Sequence, residues 1–293
     1  MNNEQHSNRT PSFSRKRLLS ISRPRFWIYV LGPFLIGMIA AGDPRLWTAS
    51  TALLMLLLFV FFTFPSNLLI YGVNDIFDYE TDKLNPKKQD YEGLIVPHEQ
   101  KKLWKIIALW NIPFLFLVLL LPGMAWIAFL VFVFTSLFYS ATPIRAKAKP
   151  PLDIIFSSTI YISPAVIAFF ATGNQDISWL AILGGFLWAS AMQTYSAVPD
   201  IKADTDGGVA TLATVLGQKA ALWFCFLAYA AAAYIGFLHI GVIALILGAF
   251  YLVLVAMTLR KPNKSFEIYK KFPIVNTVLG MILFFILVAR FVL

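Results

Sequence analysis

Two short stretches of this 293-residue chain gather seven of its fifteen carboxylates. The first reads Asn74-Asp75-Ile76-Phe77-Asp78-Tyr79-Glu80-Thr81-Asp82 and the second Asp200-Ile201-Lys202-Ala203-Asp204-Thr205-Asp206-Gly207-Gly208. On a continued helix Asp75, Asp78 and Asp82 stand at i, i+3 and i+7 and share one face, as Asp200 and Asp204 do at i and i+4. Like charges stacked in this way repel, and a bound divalent cation removes the repulsion. Carboxylate oxygens are hard ligands suited to Mg2+, which keeps some of its waters and also takes phosphate oxygens. Two such sets point to a diphosphate held between metal ions. Lys83, Lys87, Lys88, Arg145, Lys147, Lys149 and Lys202 are candidates to complete its charge, although each alone also reads as an ordinary loop cation. Asp206 lies off the Asp200/Asp204 face and reads as a supporting residue behind it. A solvated helix end explains one acidic cluster, but explains two poorly in a chain with only 15 acidic residues.

The elements that must position these groups are membrane helices. The chain is 59% hydrophobic and 13% charged, against about 25% charged in soluble domains. Apolar runs near 25–42, 50–73, 103–121, 123–141, 153–171, 178–198, 219–237, 239–258 and 273–292 approach the ~20 residues that cross a bilayer. They predict an all-α, multi-pass protein with nine transmembrane helices. Pro33, Pro113 and Pro164 fall inside runs, which membrane helices tolerate. The runs are too long for the strands of a membrane barrel. Of 24 basic residues, only Arg45 and Arg290 fall outside the alternate loops that would face the cytoplasm. That asymmetry places the N-terminus inside and the C-terminus outside, so the net charge of +9 is a topology signal and no sign of nucleic acid. Residues 1–24 read as a basic cytoplasmic tail and 25–293 as a single domain, with no signal-peptide pattern. One cysteine, Cys225, excludes a disulfide framework. Nothing in the sequence speaks to oligomeric state.

The run Asn67-x6-Asn74-Asp75-x2-Asp78-x3-Asp82 resembles the first signature of the UbiA-type intramembrane prenyltransferases. Asp200-x3-Asp204-x3-Gly208-x2-Thr211-Leu212-Ala213-Thr214-x2-Gly217 resembles the second. Between them, Tyr139-Ser140-Ala141-Thr142-Pro143-Ile144-Arg145-Ala146-Lys147 followed by Pro151-Leu152-Asp153 is similar to that family's segment joining helices four and five. Ser22-Arg23-Pro24-x2-Trp27 is similar to its first helix start. The likeness is collinear over residues 20–220. It departs where many members carry Arg-Pro and this chain has Asn85-Pro86-Lys87-Lys88, and where Gly208 stands in place of a third Asp.

The resemblance implies a helical bundle around a central cavity under a cytoplasmic cap, in a bacterial or archaeal cell membrane. It also implies Mg2+-dependent transfer of a prenyl group from an isoprenyl diphosphate to a lipophilic acceptor. Asn74, Asp75, Asp78 and Asp82 would hold one metal, Asp200 and Asp204 the other, with Asp75, Asp78, Asp200 and Asp204 catalytic. Asn67, Asn74, Lys88, Tyr139, Arg145, Lys147 and Tyr195 would bind substrate, the two tyrosines sheltering an allylic cation. Val198-Pro199-Asp200-Ile201 with Thr211-x2-Thr214 leans toward the carotenoid branch, which adds C5 units to lycopene or a related linear carotenoid. The alternative acceptor is an aromatic ring in quinone biosynthesis, whose carboxylate would want an arginine such as Arg145. A cation-coupled transporter is the alternative of a different class, but its charges would gather near the bilayer midplane, where these spans have almost none.

Overall fold

The computed structural model describes residues 13–79, 83 and 94–293, and among these it is helical with no strand. Helix α1 (Arg15–Ile21) is followed by α2 (Ile28–Ala40), α3 (Ala49–Phe62) and α4 (Phe64–Phe77). Then come α5 (Pro97–Leu115), α6 (Ala125–Phe138), α7 (Leu152–Ala171) and α8 (Trp179–Ala197). The short α9 (Ile201–Asp206) leads into α10 (Leu212–Ile240) and α11 (Val242–Arg260), and the short α12 (Ser265–Tyr269) precedes α13 (Phe272–Phe291).

The structure does not by itself confirm the count of nine spans. Among the described residues six helical stretches are long and apolar enough to cross a membrane, one of them Ala49–Phe77, which joins α3 to α4. The apolar helices α2 and α6 are shorter, because apolar residues at the ends of their runs lie outside the helices, Phe26 and Trp27 before α2 and Met124 and Tyr139 at the two ends of α6. Apolarity alone cannot tell a helix end from an interfacial loop. These helices make the chain an integral membrane protein.

Each break has a local cause. Thr63 leaves the helical region (φ −85°, ψ −108°) between α3 and α4, and Pro65 follows it at the start of α4. In a bilayer the freed carbonyls need partners, and the amide of the buried Asn67 donates to the Phe62 carbonyl (3.2 Å) and the Thr63 carbonyl (2.5 Å). Pro199 has no N–H to continue α8, so the chain passes through a 3-10 turn, Val198–Asp200, before α9. Gly217 (φ +73°) breaks α10, and Gly241 (φ +73°) turns it into α11.

The helices close into a ring in which α2 packs on α7, α7 on α8, α8 on α10 and α10 on α11, with α13 returning to α2. An aromatic core of Phe34, Phe61, Phe62, Phe129 and Phe132 joins α2, α3 and α6. A second, rich in tyrosine (Tyr195, Tyr229, Tyr251), joins α8, α10, α11 and α13. A third fastens α1 through Ile21 to α4 and α5, reinforced by Arg17 Nη1 donating to Glu99 Oε1 at 2.5 Å. Part of the expected N-terminal tail is thus packed on the bundle. Large apolar side chains such as Leu109, Phe116, Leu227 and Ile274 stay exposed, as a lipid-facing surface requires.

Between membrane helices small residues allow close backbone approach. At Gly37, on the α2–α7 crossing, a Cβ would run into the backbone of Ala165, whereas at Gly280 on α13 nothing lies within 4 Å. Gly37→Val should destabilise the detergent-solubilised protein by about 3 kcal/mol, an overpacking cost, and lower its melting temperature. Gly280→Ala should leave the melt unchanged or raise it.

Candidate active site

The charged groups form a layer at one end of the bundle. Asp75 occupies the last turn of α4 and is 3% exposed, and Arg23 Nη2 donates to its Oδ1 at 2.8 Å. Helix α4 ends at Phe77 with Asp78 as its cap residue, so the expected continuous helix is interrupted at Asp78, while Asp82 lies outside the described residues. Asp78 is buried and pairs with the Lys147 ammonium, while Arg145 Nη2 stands 3.6 Å from its Oδ1. Asn74 donates to the Ser140 hydroxyl at 3.1 Å, tying α4 to the segment after α6. That segment folds back on itself, with Arg145 N donating to Ala141 O and Lys147 N to Tyr139 O. Arg23 (φ +51°) and Arg145 (φ +46°) are the two non-glycine residues at positive φ among the described residues. Such strain clusters where a side chain must be aimed, and both guanidinium groups are aimed at the first acidic set.

The second set sits on the break after α8. Asp200 caps α9 and is exposed, and Asp204 follows one turn later, partly buried. Burial, and then the Asp200 charge, push the Asp204 carboxyl up to about 6, while Lys147 pulls it down. Lys147 therefore stands within Coulomb range of both acidic sets. The loop beyond is braced at two points: Val209 N donates to Asp204 O (2.8 Å), and Leu212 N to Asp153 Oδ2 (2.6 Å). Gly208 supplies the positive φ (+68°) that the turn requires.

Beneath the charged layer lies a small cavity of about 140 Å3, walled by Phe26, Tyr29, Tyr71, Tyr161, Tyr269 and Phe272, with Met192, Gln193 and Ser196. Its rings connect to the charges above. The Arg23 guanidinium lies 4.8 Å from the Tyr71 ring centroid. Burial pushes the Tyr269 phenol up, Asp200 adds to this and Arg25 opposes it. Deeper in the bundle, a cavity of about 800 Å3 runs between α2, α7, α8, α10, α11 and α13. Its walls are largely apolar, with Tyr29, Tyr229 and Tyr251 among them, and its charged side chains, Asp176 and Arg290, lie with His239 where these helices end away from the acidic sets.

Of the expected site residues, Asn74, Asp75, Asp78, Arg145 and Lys147 come together, and Asp204 joins them through the charge of Lys147, with Asp200 one turn before it. Asp82, Lys87 and Lys88 lie outside the described residues. Asn67 is used at the α3–α4 break. Tyr195 is buried behind the pocket, its hydroxyl 2.8 Å from that of Thr258 and its ring against Tyr269 and Phe272. Tyr139 accepts a hydrogen bond from Gln193 at 3.0 Å. Sequence reasoning missed Arg23 and Asp153 as site residues, although both stood inside the matched motifs. It also missed the tyrosine and phenylalanine walls, whose sequence positions are scattered.

Among the described residues no three His, Cys, Asp or Glu side chains form a ready metal cluster. The donor chemistry nevertheless suits a divalent cation. Asn74, Asp75, Asp78, Asp200 and Asp204 offer only hard oxygens, and the mutual charge of Asp200 and Asp204 is the repulsion such an ion relieves.

A family model described as the UbiA prenyltransferase family matches residues 30–271. A lycopene elongase/hydratase of Haloarcula japonica is 38% identical over 279 residues, 94% of this chain and 92% of that one. The lycopene elongase/hydratase of Corynebacterium glutamicum is 35% identical over 74% of this chain and 75% of its own. The structure of a UbiA homolog from Archaeoglobus fulgidus bound to GPP and Mg2+ superposes with a TM-score of 0.70 at 18% identity, over 92% of this chain and 99% of that one. The same homolog bound to DMAPP and Mg2+ gives 0.69. A match running from the first membrane helix to the last acidic loop and beyond, on the same bundle, makes this chain a member of the UbiA prenyltransferase family and an intramembrane prenyltransferase.

Proposed function

We propose that the protein moves a C5 prenyl group from dimethylallyl diphosphate to the end of a linear carotenoid such as lycopene, with Mg2+ as cofactor. One observation carries this reading: a charged layer caps an aromatic pocket, and that pocket shares Tyr29 with a large apolar cavity whose charged side chains, Asp176 and Arg290, lie at the end away from the acidic sets. A carotenoid has no charged head and needs none. The aromatic-acid alternative would call on Arg145, but Arg145 sits beside Asp78. The curated relatives named above support the same acceptor.

Asn74, Asp75, Asp78, Asp200 and Asp204 are the proposed metal ligands, with Asp82 completing the motif. Bound Mg2+ neutralises the diphosphate and so supports its departure. Arg23, Arg145 and Lys147, already beside the carboxylates, bind and orient the diphosphate oxygens as negative charge grows there. The carbon–oxygen bond breaks with its electron pair going to diphosphate. The faces of Tyr71, Tyr161 and Tyr269 shelter the allylic cation, and the apolar walls exclude water. The acceptor's terminal double bond supplies the electron pair of the new carbon–carbon bond, leaving a tertiary cation. Proton loss to the departed diphosphate restores a double bond, whereas capture by water gives an alcohol.

Asp75→Ala and Asp204→Ala should each lower prenyl transfer at least a hundredfold while the protein still purifies as a folded, detergent-soluble species. Near wild-type turnover in either variant would remove that residue from the metal set. Expression in a lycopene-producing host should yield new C45 or C50 pigments, with or without an added hydroxyl. Unchanged lycopene, with prenylation of an aromatic acid by the same membranes, would transfer the reading to quinone chemistry. We also propose the inside N-terminus. Reporters fused after residues 149 and 206 should read cytoplasmic, and one inserted at 174 should read external; the opposite pattern would invert the topology.

A further inference from the structure

We propose that Tyr29 sets the length of prenyl donor the protein accepts, acting as the partition between the donor pocket and the acceptor cavity. The inference rests on the reading that the small aromatic pocket takes the donor's tail. Tyr29 is the one residue that lines both cavities. It sits at the start of α2, is 8% exposed, and is followed by the fully buried Val30. Its ring is held on the pocket side by Phe26 (centroids 5.7 Å apart) and Tyr161 (6.1 Å). On the cavity side its hydroxyl lies by Asn276, whose Oδ1 also accepts from Tyr251 at 2.7 Å. Residues of the turn before α2, of α7 and of α13 thus flank the ring on both sides, with α11 bonded to Asn276 behind it.

The two volumes give this partition its consequence. An apolar cavity of about 150 Å3 binds benzene, a six-carbon molecule. The donor pocket, at about 140 Å3, therefore holds a five-carbon prenyl group and has no room for a second isoprene unit. The space that could take that unit, about 800 Å3, lies directly behind the Tyr29 ring. Trimming the ring joins the two spaces. A longer tail then passes into the acceptor cavity, where it meets apolar walls and finds no steric limit. Met192, Tyr269 and Phe272 close the pocket elsewhere, but none of them borders the larger cavity, so shortening them cannot have this effect.

The test measures donor binding without any acceptor, so that failure of the carotenoid reading does not obscure it. Non-ionising thiolo analogues of dimethylallyl, geranyl and geranylgeranyl diphosphate are titrated with Mg2+ against the full-length protein in nanodiscs. Wild type should favour the C5 analogue over the C10 analogue at least tenfold. Tyr29→Ala and Tyr29→Leu should each reduce that ratio at least tenfold, chiefly through tighter C10 binding, while Tyr29→Phe, which keeps the ring, should preserve it. Having two truncations guards against one failing to fold. A tyrosine that only stabilised the bundle would weaken all three analogues together and leave the ratio unchanged. An unchanged ratio in the folded truncations, or equal C5 and C10 binding by wild type, would overturn the proposal. Elongation of lycopene, assayed separately on the same preparations, tests the acceptor reading and leaves this ratio untouched.

Discussion

Carboxylates buried at the ends of membrane helices must be paired, since an unpaired charge there is expensive. The rest of this structure is arranged around meeting that demand. Asp75 and Asp78 are buried because α4 carries them to the edge of the apolar region, and Arg23, Arg145 and Lys147 are brought to them from two distant stretches of chain. Lys147 matters most, because it pairs with Asp78 and also offsets the charge at Asp204. The segment after α6 folds back through its own backbone bonds and puts both cations of that loop in place. The positive φ angles of Arg23 and Arg145 are the conformational cost of this aiming. The same cations that satisfy the carboxylates in the protein alone are those that, on the proposed reading, a diphosphate would need.

Polarity then falls in steps along the bundle. Below the ions comes a band of tyrosine and phenylalanine, and below that a larger chamber of aliphatic, aromatic and glycine residues. Each band suits a different part of one reaction: oxygen anions against cations, a carbocation against ring faces, and a hydrocarbon against a hydrocarbon wall. Excluding water from the middle band protects a cation that water would otherwise capture, and it strengthens the electrostatics above. The glycines of α2 serve the same end. Gly37 lets α2 lie against α7, which holds Tyr29 at the boundary of the two cavities.

Much of this was legible in the amino-acid sequence. Apolar runs of membrane length and the one-sided distribution of lysine and arginine determine a multi-pass helical protein, because the bilayer permits few other solutions. The acidic motifs are equally plain, since carboxylates are scarce in such a chain and their spacing is local. Three features could be read only from the folded chain. Helix ends depend on partners that lie across the break, as Asn67 satisfies the carbonyls of Phe62 and Thr63 between α3 and α4, and Asp78 caps α4 where local spacing alone would continue the helix. The pairing of Arg23 with Asp75 joins residues 52 apart, and no local period records it. The pocket walls are drawn from α2, α4, α7, α8, α12 and α13, and which of many aromatic residues face inward depends on how those helices rotate as they pack. Sequence spacing determines what one helix presents, whereas which helix faces it, and at what depth, is decided by packing alone.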